Sequence, residues 1–224
     1  MQVLIHACPQ RMWFVEEFMV PALLGQGLDP ENLEIWNDSM GYGCLRSCMV
    51  SFASRCGSGG TWHIQDDVLI ASDFVRRCRE HDRGVVYGFC CEYFTDDPGQ
   101  IGHVYPPDAW HSFQCVRIPD DHARACAEWY LSGAWRMLAD PQLEALAADN
   151  RGDDTFFRTW MQELHPAETV ENLRPNLVEH VDRWIGGSVL HQWRDYPATA
   201  YYWQEPELTE QLRARLKLRR NEHG

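Results

Sequence analysis

The sequence contains no long apolar run, although 45% of its 224 residues are hydrophobic. A helix that crosses a bilayer needs about 20 consecutive apolar residues, so we do not expect this chain to span a membrane. The first residues, Met1 to Pro9, also lack the basic and apolar regions that are typical of a secretion signal. They predict a buried first strand instead.

Positive charge is scarce, because 20 Lys and Arg residues stand against 33 Asp and Glu residues and give a net charge of −13. This balance disfavours a general nucleic-acid-binding surface, which needs basic side chains to neutralise phosphates. The exception is the end of the chain, where basic residues alternate with leucines from Leu212 to Arg220. That segment predicts either a solvated terminal helix or a contact with an anionic acceptor such as a polynucleotide.

The nine cysteines form no regular framework. An odd number of cysteines without a secretion signal favours reduced thiols and a cytoplasmic location. Cys44 and Cys48 have the spacing of neighbours on a helix, and Cys56 follows them, so a zinc site is conceivable. No second close pair follows, and we therefore favour buried thiols.

The first third of the chain alternates between strand and helix patterns. Alternation of this kind favours parallel strands joined by crossover helices, which is a Rossmann-like half of an α/β fold. The later pattern extends this half into a mixed central sheet flanked by helices. No repeat, low-complexity segment or linker interrupts the sequence, so we expect a single domain. The patterns predict strands over 2–7, 33–38, 84–91 and 113–119, and helices over 12–24, 45–53, 72–82 and 120–138. A further strand begins near Thr61 and runs into Asp66 and Asp67, where we expect it to leave the sheet.

Chemically reactive side chains stand at or just after the end of each of the first three predicted strands. Arg11 follows the first strand, Asp38 the second, and Asp66 and Asp67 belong to the third. Ligands of open α/β sheets bind beyond the carboxyl ends of the strands, so we expect these residues to share one edge. Two charges about 5 Å apart repel by about 3 kcal/mol at an effective dielectric constant near 20. A divalent cation removes that cost, so Asp66 and Asp67 predict the metal end of an active site.

Later segments supply further candidates. Asp153 and Asp154 stand at a predicted helix start, where they would either cap the helix or take part in catalysis. The segment Pro175–His180 places a histidine after an apolar run, and a Gly-Gly-Ser turn follows at 186–188. The stretch 95–112 is rich in Pro, Gly, Asp and aromatic residues and is expected to be a functional loop.

Three of these motifs together resemble those of GT-A-type glycosyltransferases. The segment Ile64-Gln65-Asp66-Asp67-Val68 is similar to the Leu-Glu-Asp-Asp-Val motif of enzymes that modify lipooligosaccharide and collagen. In that family the motif holds a divalent cation on the diphosphate of a nucleotide sugar. A late Pro-x-Leu-Val-x-His segment supplies a histidine ligand, and inverting members carry an acidic pair at a helix start. The family's order of double aspartate, acidic pair and histidine also occurs in this chain.

The resemblance implies a GT-A-like fold. Residues 1–95 would form the nucleotide-sugar-binding half, residues 96–205 the half that completes the acceptor and metal sites, and residues 206–224 a basic C-terminal helix or tail. The general appearance of the chain also resembles a phage-encoded member of this fold.

The resemblance also implies a metal site. Mn²⁺ or Mg²⁺ would be bound by Asp67 and His180, with help from Asp66 through water. The metal would act as a Lewis acid at the departing phosphate of the nucleotide diphosphate sugar. Gln65 stands where the motif has its first acid, so it could bind a ribose or sugar hydroxyl but adds no charge.

The remaining roles concern the donor and the acceptor. Arg11 could pair with the diphosphate or the base, and Asp38 could reach uridine or another base. Both also have an ordinary interpretation, as a surface arginine and a turn aspartate. Asp154, slightly favoured over Asp153, would be the general base of an inverting transfer. The acceptor would be a glycan, a protein or a hydroxymethylated base of phage DNA, the last reached through the basic tail.

Two other functions fit the same residues. A metal-dependent phosphotransfer or nuclease enzyme would use these carboxylates and predicts a third acid near the first two. A catalytically silent nucleotide-sugar-binding protein would explain the loss of an acid at Gln65. Among the aromatic residues, Trp110 and Trp184 are candidates for stacking on a sugar or base. Of the other histidines, we expect His63 in the core or beside the ligands, and His103, His111, His165 and His191 in loops or at the surface.

Overall fold

A mixed β-sheet lies at the centre of the fold. The computed structural model describes residues 1–57, 59–89, 103–105, 113–186 and 203–222. Most of the predicted functional loop, with Trp110 and His111, lies outside the described residues, and so do His191 and the end of the Gly-Gly-Ser turn. The strands of the described part are β1 (Gln2–Ala7), β2 (Leu33–Asn37), β3 (Gly60–Gln65), β4 (Val68–Ile70), β5 (Val85–Tyr87), β6 (His103–Tyr105), β7 (Cys115–Pro119), β8 (Val170–Asn172) and β9 (Val178–His180).

The described residues form eight α-helical segments. The first two, joined by the π-helical turn Val15–Met19, make one continuous helix. Short 3₁₀ turns occupy Pro9–Arg11, Pro30–Asn32, Ala134–Leu138 and Asp182–Trp184. The α-helices are α1 (Met12–Phe14), α2 (Val20–Gly25), α3 (Cys44–Ala53), α4 (Phe74–Glu80), α5 (Asp120–Leu131), α6 (Pro141–Ala148), α7 (Asp153–Leu164) and α8 (Pro206–Glu222).

The strand order is β2-β1-β3-β7-β5-β8-β6, and β4 and β9 form a separate two-stranded sheet. Strand β1 pairs in parallel with both β2 and β3. Strand β7 is antiparallel to its neighbours β3 and β5, whereas β8 is parallel to β5. The expected α/β fold with a mixed central sheet flanked by helices is therefore confirmed, and the carboxyl ends of β1, β2 and β3 meet at one edge.

Side chains on the two faces of the sheet belong to two separate apolar cores. One core contains Val3, Ile5 and Trp62 and packs against α1, α2, α4 and the small sheet. The other contains Val116 and Ile118 and packs against α3, α5, α6 and α7. Neighbouring residues of a strand point to opposite faces of the sheet. Each face is covered by the helices of one of these two cores.

The third predicted strand leaves the main sheet at the double aspartate, as expected. Strand β3 ends at Gln65, the chain turns at Asp66 and Asp67, and β4 then leaves the main sheet to pair with β9. The physical reason is that neither carboxylate can lie in an apolar core without a partner. The turn directs both of them to polar partners at the sheet edge.

The basic C-terminal segment forms helix α8, and one side of this helix is buried. Leu212 is 1% exposed and belongs to the first core. The guanidinium of Arg213 lies 4.5 Å from the ring centre of Trp184, and that of Arg215 lies 5.5 Å from the ring centre of Phe18. Two of its cationic side chains are therefore held against aromatic rings of the same chain. In the part of the chain that the structure describes, no helix has the length and apolar character needed to cross a bilayer.

Candidate metal and catalytic site

Arg11 lies between the two carboxylates of the central motif. Its Nη1 donates to Asp66 Oδ1 at 2.9 Å and to Asp67 Oδ2 at 2.7 Å. Burial opposes the charge of this guanidinium, but the two aspartates outweigh burial and raise the pKa of Arg11, so it stays protonated. The repulsion that we expected a metal to remove is therefore already offset by a cationic side chain.

Both oxygens of Asp66 have partners within the protein. Oδ1 accepts from Arg11, and Oδ2 accepts from the backbone N–H of Cys8 at 2.7 Å. These bonds join the turn after β3 to the turn after β1. The arrangement gives Asp66 the task of anchoring the two turns, and it leaves Asp67 as the member of the pair that faces further partners.

Asp67 and His180 meet because their backbones are paired. Val68, the first residue of β4, stands opposite His180 in β9, and the backbone N–H of Val181 donates to the carbonyl oxygen of Asp67 at 2.8 Å. His180 Nε2 consequently lies 3.3 Å from Asp67 Oδ2. The late Pro-x-Leu-Val-x-His segment thus delivers its histidine to the double aspartate.

The second oxygen of Asp67 is buried and accepts no hydrogen bond from the described residues. Asp67 as a whole is 8% exposed. Burial alone would raise the pKa of Asp67, but His180 and Arg11 outweigh it and hold that pKa well below its usual value. The carboxylate is therefore ionised, with one oxygen directed at cationic partners and the other left without one.

Asp182 is a member of this cluster that the sequence interpretation missed. Its Oδ2 lies 3.8 Å from His180 Nε2, and the residue is 2% exposed. The spacing His180-Val181-Asp182 was the available signal, because residues two apart in an extended segment point to the same side. The cluster therefore contains a third carboxylate beside Asp66 and Asp67.

Asp38 lies at the carboxyl end of β2, as expected. One carboxylate oxygen accepts from the backbone N–H of Tyr42 at 2.8 Å and the other accepts from Gly43 at 2.7 Å. These bonds shape the turn that leads into α3. The geometry favours the ordinary interpretation of a turn aspartate over contact with a nucleotide base. Gln65 ends β3 and is partly exposed at the same edge, beside His6 of β1.

The acidic pair begins helix α7, at the end of α3 that follows β2. Cys44 Sγ donates to Asp153 Oδ1 at 3.3 Å, and the backbone N–H of Thr155 donates to Asp154 Oδ1 at 2.7 Å. Burial and the neighbouring Asp154 raise the pKa of Asp153 to about 6. Burial also raises the pKa of Asp154, against its bond from Thr155.

The structure does not bring the acidic pair into contact with the Asp67 cluster. Within the described ranges, no hydrogen bond or ion pair joins Asp153 or Asp154 to Asp66, Asp67 or His180. Because α3 follows the carboxyl end of β2, the acidic pair belongs to the same edge of the sheet, on the side of the second core. A substrate would have to span the two groups.

Among the described residues, Cys44, Cys48 and Cys56 do not come close enough together to share one ion. Cys48 is buried, whereas Cys56 is exposed. Burial raises the pKa of Cys44 and of Cys48 well above its usual value, which disfavours the thiolates that zinc requires. All seven cysteines in the described ranges are free.

The remaining predicted residues are placed as follows. His63 is buried in the core, 2.9 Å from His6 between ring nitrogens. Trp184 lies against α8, with the guanidinium of Arg213 4.5 Å from the centre of its ring. His165 lies in the loop directly after α7, as expected, and is partly buried beside His122 and Glu168. Comparisons with models of known protein families and with curated proteins find no match for this chain.

Proposed function

We propose that this protein is a metal-dependent glycosyltransferase that moves a sugar from a nucleotide diphosphate sugar to a hydroxyl acceptor, on a GT-A-like fold. The observation that carries the proposal is the contact between Asp67 and His180. Two motifs far apart in the sequence, each chosen for its resemblance to a metal ligand of that family, meet at 3.3 Å. They do so beyond the carboxyl ends of parallel strands, where ligands of such sheets bind.

The donor atoms fit a hard divalent cation. Asp67 Oδ1 is a buried carboxylate oxygen without a hydrogen bond from the described residues, and His180 Nε2 lies beside the other oxygen. Mn²⁺ and Mg²⁺ prefer oxygen ligands, and Mn²⁺ tolerates one imidazole. When bound, such an ion would supply charge stabilisation to the departing diphosphate.

Arg11 has a second task in this proposal. Its guanidinium is held at Asp66 and Asp67 on one side of the site, at the edge where a diphosphate would lie. A guanidinium suits phosphate oxygens because its N–H groups form parallel bonds with them.

The acceptor half of the reaction is assigned to Asp153 and Asp154. A general base works best when its pKa lies near the working pH, and the pKa of Asp153 is raised to about 6. Asp154 is the less buried of the two and is the member that an acceptor hydroxyl would reach. The two carboxyls titrate as a pair, so the base is the pair rather than one residue.

One observation favours a second function. Asp182 adds a third carboxylate near His180, and a third acid is what a metal-dependent phosphotransfer or nuclease enzyme predicts. In that case the cluster would hold metal without needing a nucleotide sugar. The two functions differ in which ligand stabilises the protein.

A thermal-shift experiment tests the proposal. The full chain is treated with EDTA and heated with a panel of uridine and guanosine diphosphate sugars, with and without Mn²⁺. A ligand that binds the native state raises its stability, so we expect at least one sugar nucleotide to raise the melting temperature only when Mn²⁺ is present. The same pair should then show release of nucleoside diphosphate with a hydroxyl acceptor.

Two variants and one control sharpen the result. Asp67→Asn and His180→Gln should abolish the response to the nucleotide sugar and Mn²⁺. Asp73→Asn, on an exposed carboxylate next to α4, should retain it. Stabilisation by metal with no further response to any nucleotide sugar would favour the phosphotransfer function, and stabilisation by a nucleotide sugar without metal would favour silent binding. Either result would overturn the proposal.

A further inference from the structure

A second group of metal-binding side chains lies away from the Asp67 cluster. His122 is in the first turn of α5, His165 directly follows α7, and Glu168 precedes β8. The backbone N–H of Glu168 donates to the carbonyl oxygen of His165 at 3.0 Å, so their turn is held locally. Two segments that are separate in the sequence, the start of α5 and the turn between α7 and β8, therefore meet at one point.

The side chains of this group are close enough to share one ion. His122 Nε2 lies 2.9 Å from Glu168 Oε2, and His165 Nδ1 lies 2.7 Å from Glu168 Oε1. One ligand atom from each residue lies within 4.8 Å of the others. A metal ion with bonds of about 2.0–2.2 Å to nitrogen and oxygen needs only small side-chain movements to enter.

The two imidazoles pack against the same aromatic side chain, that of Trp160. The ring of Trp160, which is 1% exposed, lies 4.6 Å from the ring centre of His165 and 5.5 Å from that of His122. The two imidazole centres are 4.7 Å apart. Rings that pack in this way lose few orientations on binding, which favours a preformed site.

The environment of His122 gives an independent indication. Its Nδ1 lies 3.1 Å from Asp121 Oδ1, while its Nε2 faces Glu168. The two ring nitrogens therefore face two different carboxylates, so a cation bound at Nε2 would lie against Glu168 while Asp121 holds the other nitrogen. A carboxylate that orients the far nitrogen of a histidine is a common feature of metal-binding histidines.

We propose that His122, His165 and Glu168 bind a transition-metal ion such as Zn²⁺, with Asp121 as a positioning residue. Two imidazoles and one carboxylate suit Zn²⁺, Ni²⁺ or Co²⁺ better than Mg²⁺. The site differs in chemistry from the Asp67 cluster, where carboxylates predominate. Bound metal would fasten the start of α5, the end of α7 and the approach to β8 to one another.

Zinc titration of the metal-free full chain tests this site. We expect the wild-type chain to bind Zn²⁺ here, and Co²⁺ in the same place to give the visible absorption of a site with nitrogen ligands. His165→Gln and Glu168→Gln should lower the affinity by about 100-fold or more, and Asp121→Asn by about 10- to 100-fold. Glu168 is 41% exposed in its side chain, so its conservative replacement should leave the fold intact.

The matched control is His81→Gln. His81 Nδ1 lies 2.9 Å from Glu171 Oε1 on β8, and among the described residues no second imidazole joins this pair in a group that could hold an ion. This variant should keep the zinc affinity of the site. If wild type binds no more Zn²⁺ than His165→Gln, or if His81→Gln lowers the affinity equally, the proposal is overturned.

Discussion

His180 Nε2 lies 3.3 Å from Asp67 Oδ2, and the pairing of two short strands creates this contact. Strand β4 begins directly after Asp67, and β9 ends at His180. Because the register places Val68 opposite His180, the pairing of the strands brings the side chains of Asp67 and His180 together. The contact is therefore as rigid as the small sheet that carries it.

Arg11→Gln should expose the repulsion between Asp66 and Asp67. Removing one partner of a buried ion pair costs about 3–5 kcal/mol of unfolding free energy, which urea unfolding would measure. Mn²⁺ should then raise the melting temperature more than in wild type, because the metal replaces the lost cation. Arg76→Gln, on the exposed surface of α4, is the control and should change little. Equal stability of the two variants would show that Arg11 does not hold the pair.

Gly88→Ala should disturb the strand that carries His180. A Cβ atom at Gly88 would lie 2.7 Å from Cys115 Sγ and 2.9 Å from Leu177 Cδ1. The backbone N–H of Leu177 donates to the carbonyl oxygen of Gly88 at 2.6 Å, just before β9. We expect a loss of about 1–3 kcal/mol in unfolding free energy, together with weaker Mn²⁺ binding.

The control for that variant is Gly25→Ala at the end of α2, where an added Cβ meets nothing within 4 Å. Alanine is favoured over glycine in a helix by about 0.5–1 kcal/mol, so this variant should be as stable as wild type or slightly more stable. If Gly88→Ala unfolds at the same urea concentration as Gly25→Ala, the close approach at Gly88 does not limit the position of β9.

The raised pKa of Asp153 predicts that the stability of the folded protein depends on pH. The pKa of Asp153 is raised from 3.8 to about 6 in the folded protein. Between these values the folded state binds more protons than the unfolded state, so this residue lowers the unfolding free energy as the pH rises through that range. Asp153→Asn should therefore match wild type near pH 4 and be more stable by about 1–3 kcal/mol near pH 8.

Urea unfolding at both pH values checks this prediction. Asp149→Asn, in an exposed carboxylate paired with Arg151 at the end of α6, serves as the control and should show the same difference from wild type at both pH values. An advantage of Asp153→Asn that does not grow with pH would contradict the raised pKa. In the proposed transfer reaction, the rate should fall as the pH drops through about 6, because the acidic pair becomes protonated.

Leu212→Ala tests whether α8 is part of the folded domain. Leu212 is 1% exposed within the first core, and shortening a buried leucine costs about 2–5 kcal/mol. Leu218→Ala, at a side chain that is 62% exposed, should cost far less. Thermal unfolding of both variants is the measurement. Equal melting temperatures would mean that α8 does not contribute to the core.

The early strands and helices of the fold followed from local patterns. Gln2–Ala7 forms the predicted first strand, and the helices that begin at Met12 and Cys44 lie within a residue of their predicted starts. Hydrophobic periodicity is a local signal, so it predicts such elements well. The pattern could not show that Val68–Ile70 forms a strand of a separate sheet, because this depends on its pairing with the distant strand β9.

The sequence by itself determined which residues carry charge at the edge of the sheet, because the carboxyl ends of successive parallel strands must lie together. Only the tertiary structure decided how those charges are paired. Arg11, and not only a metal, offsets the repulsion of Asp66 and Asp67. Asp182 and the group around His122 were not predicted for the same reason. Contacts between distant segments depend on strand register and helix packing, which no local pattern encodes.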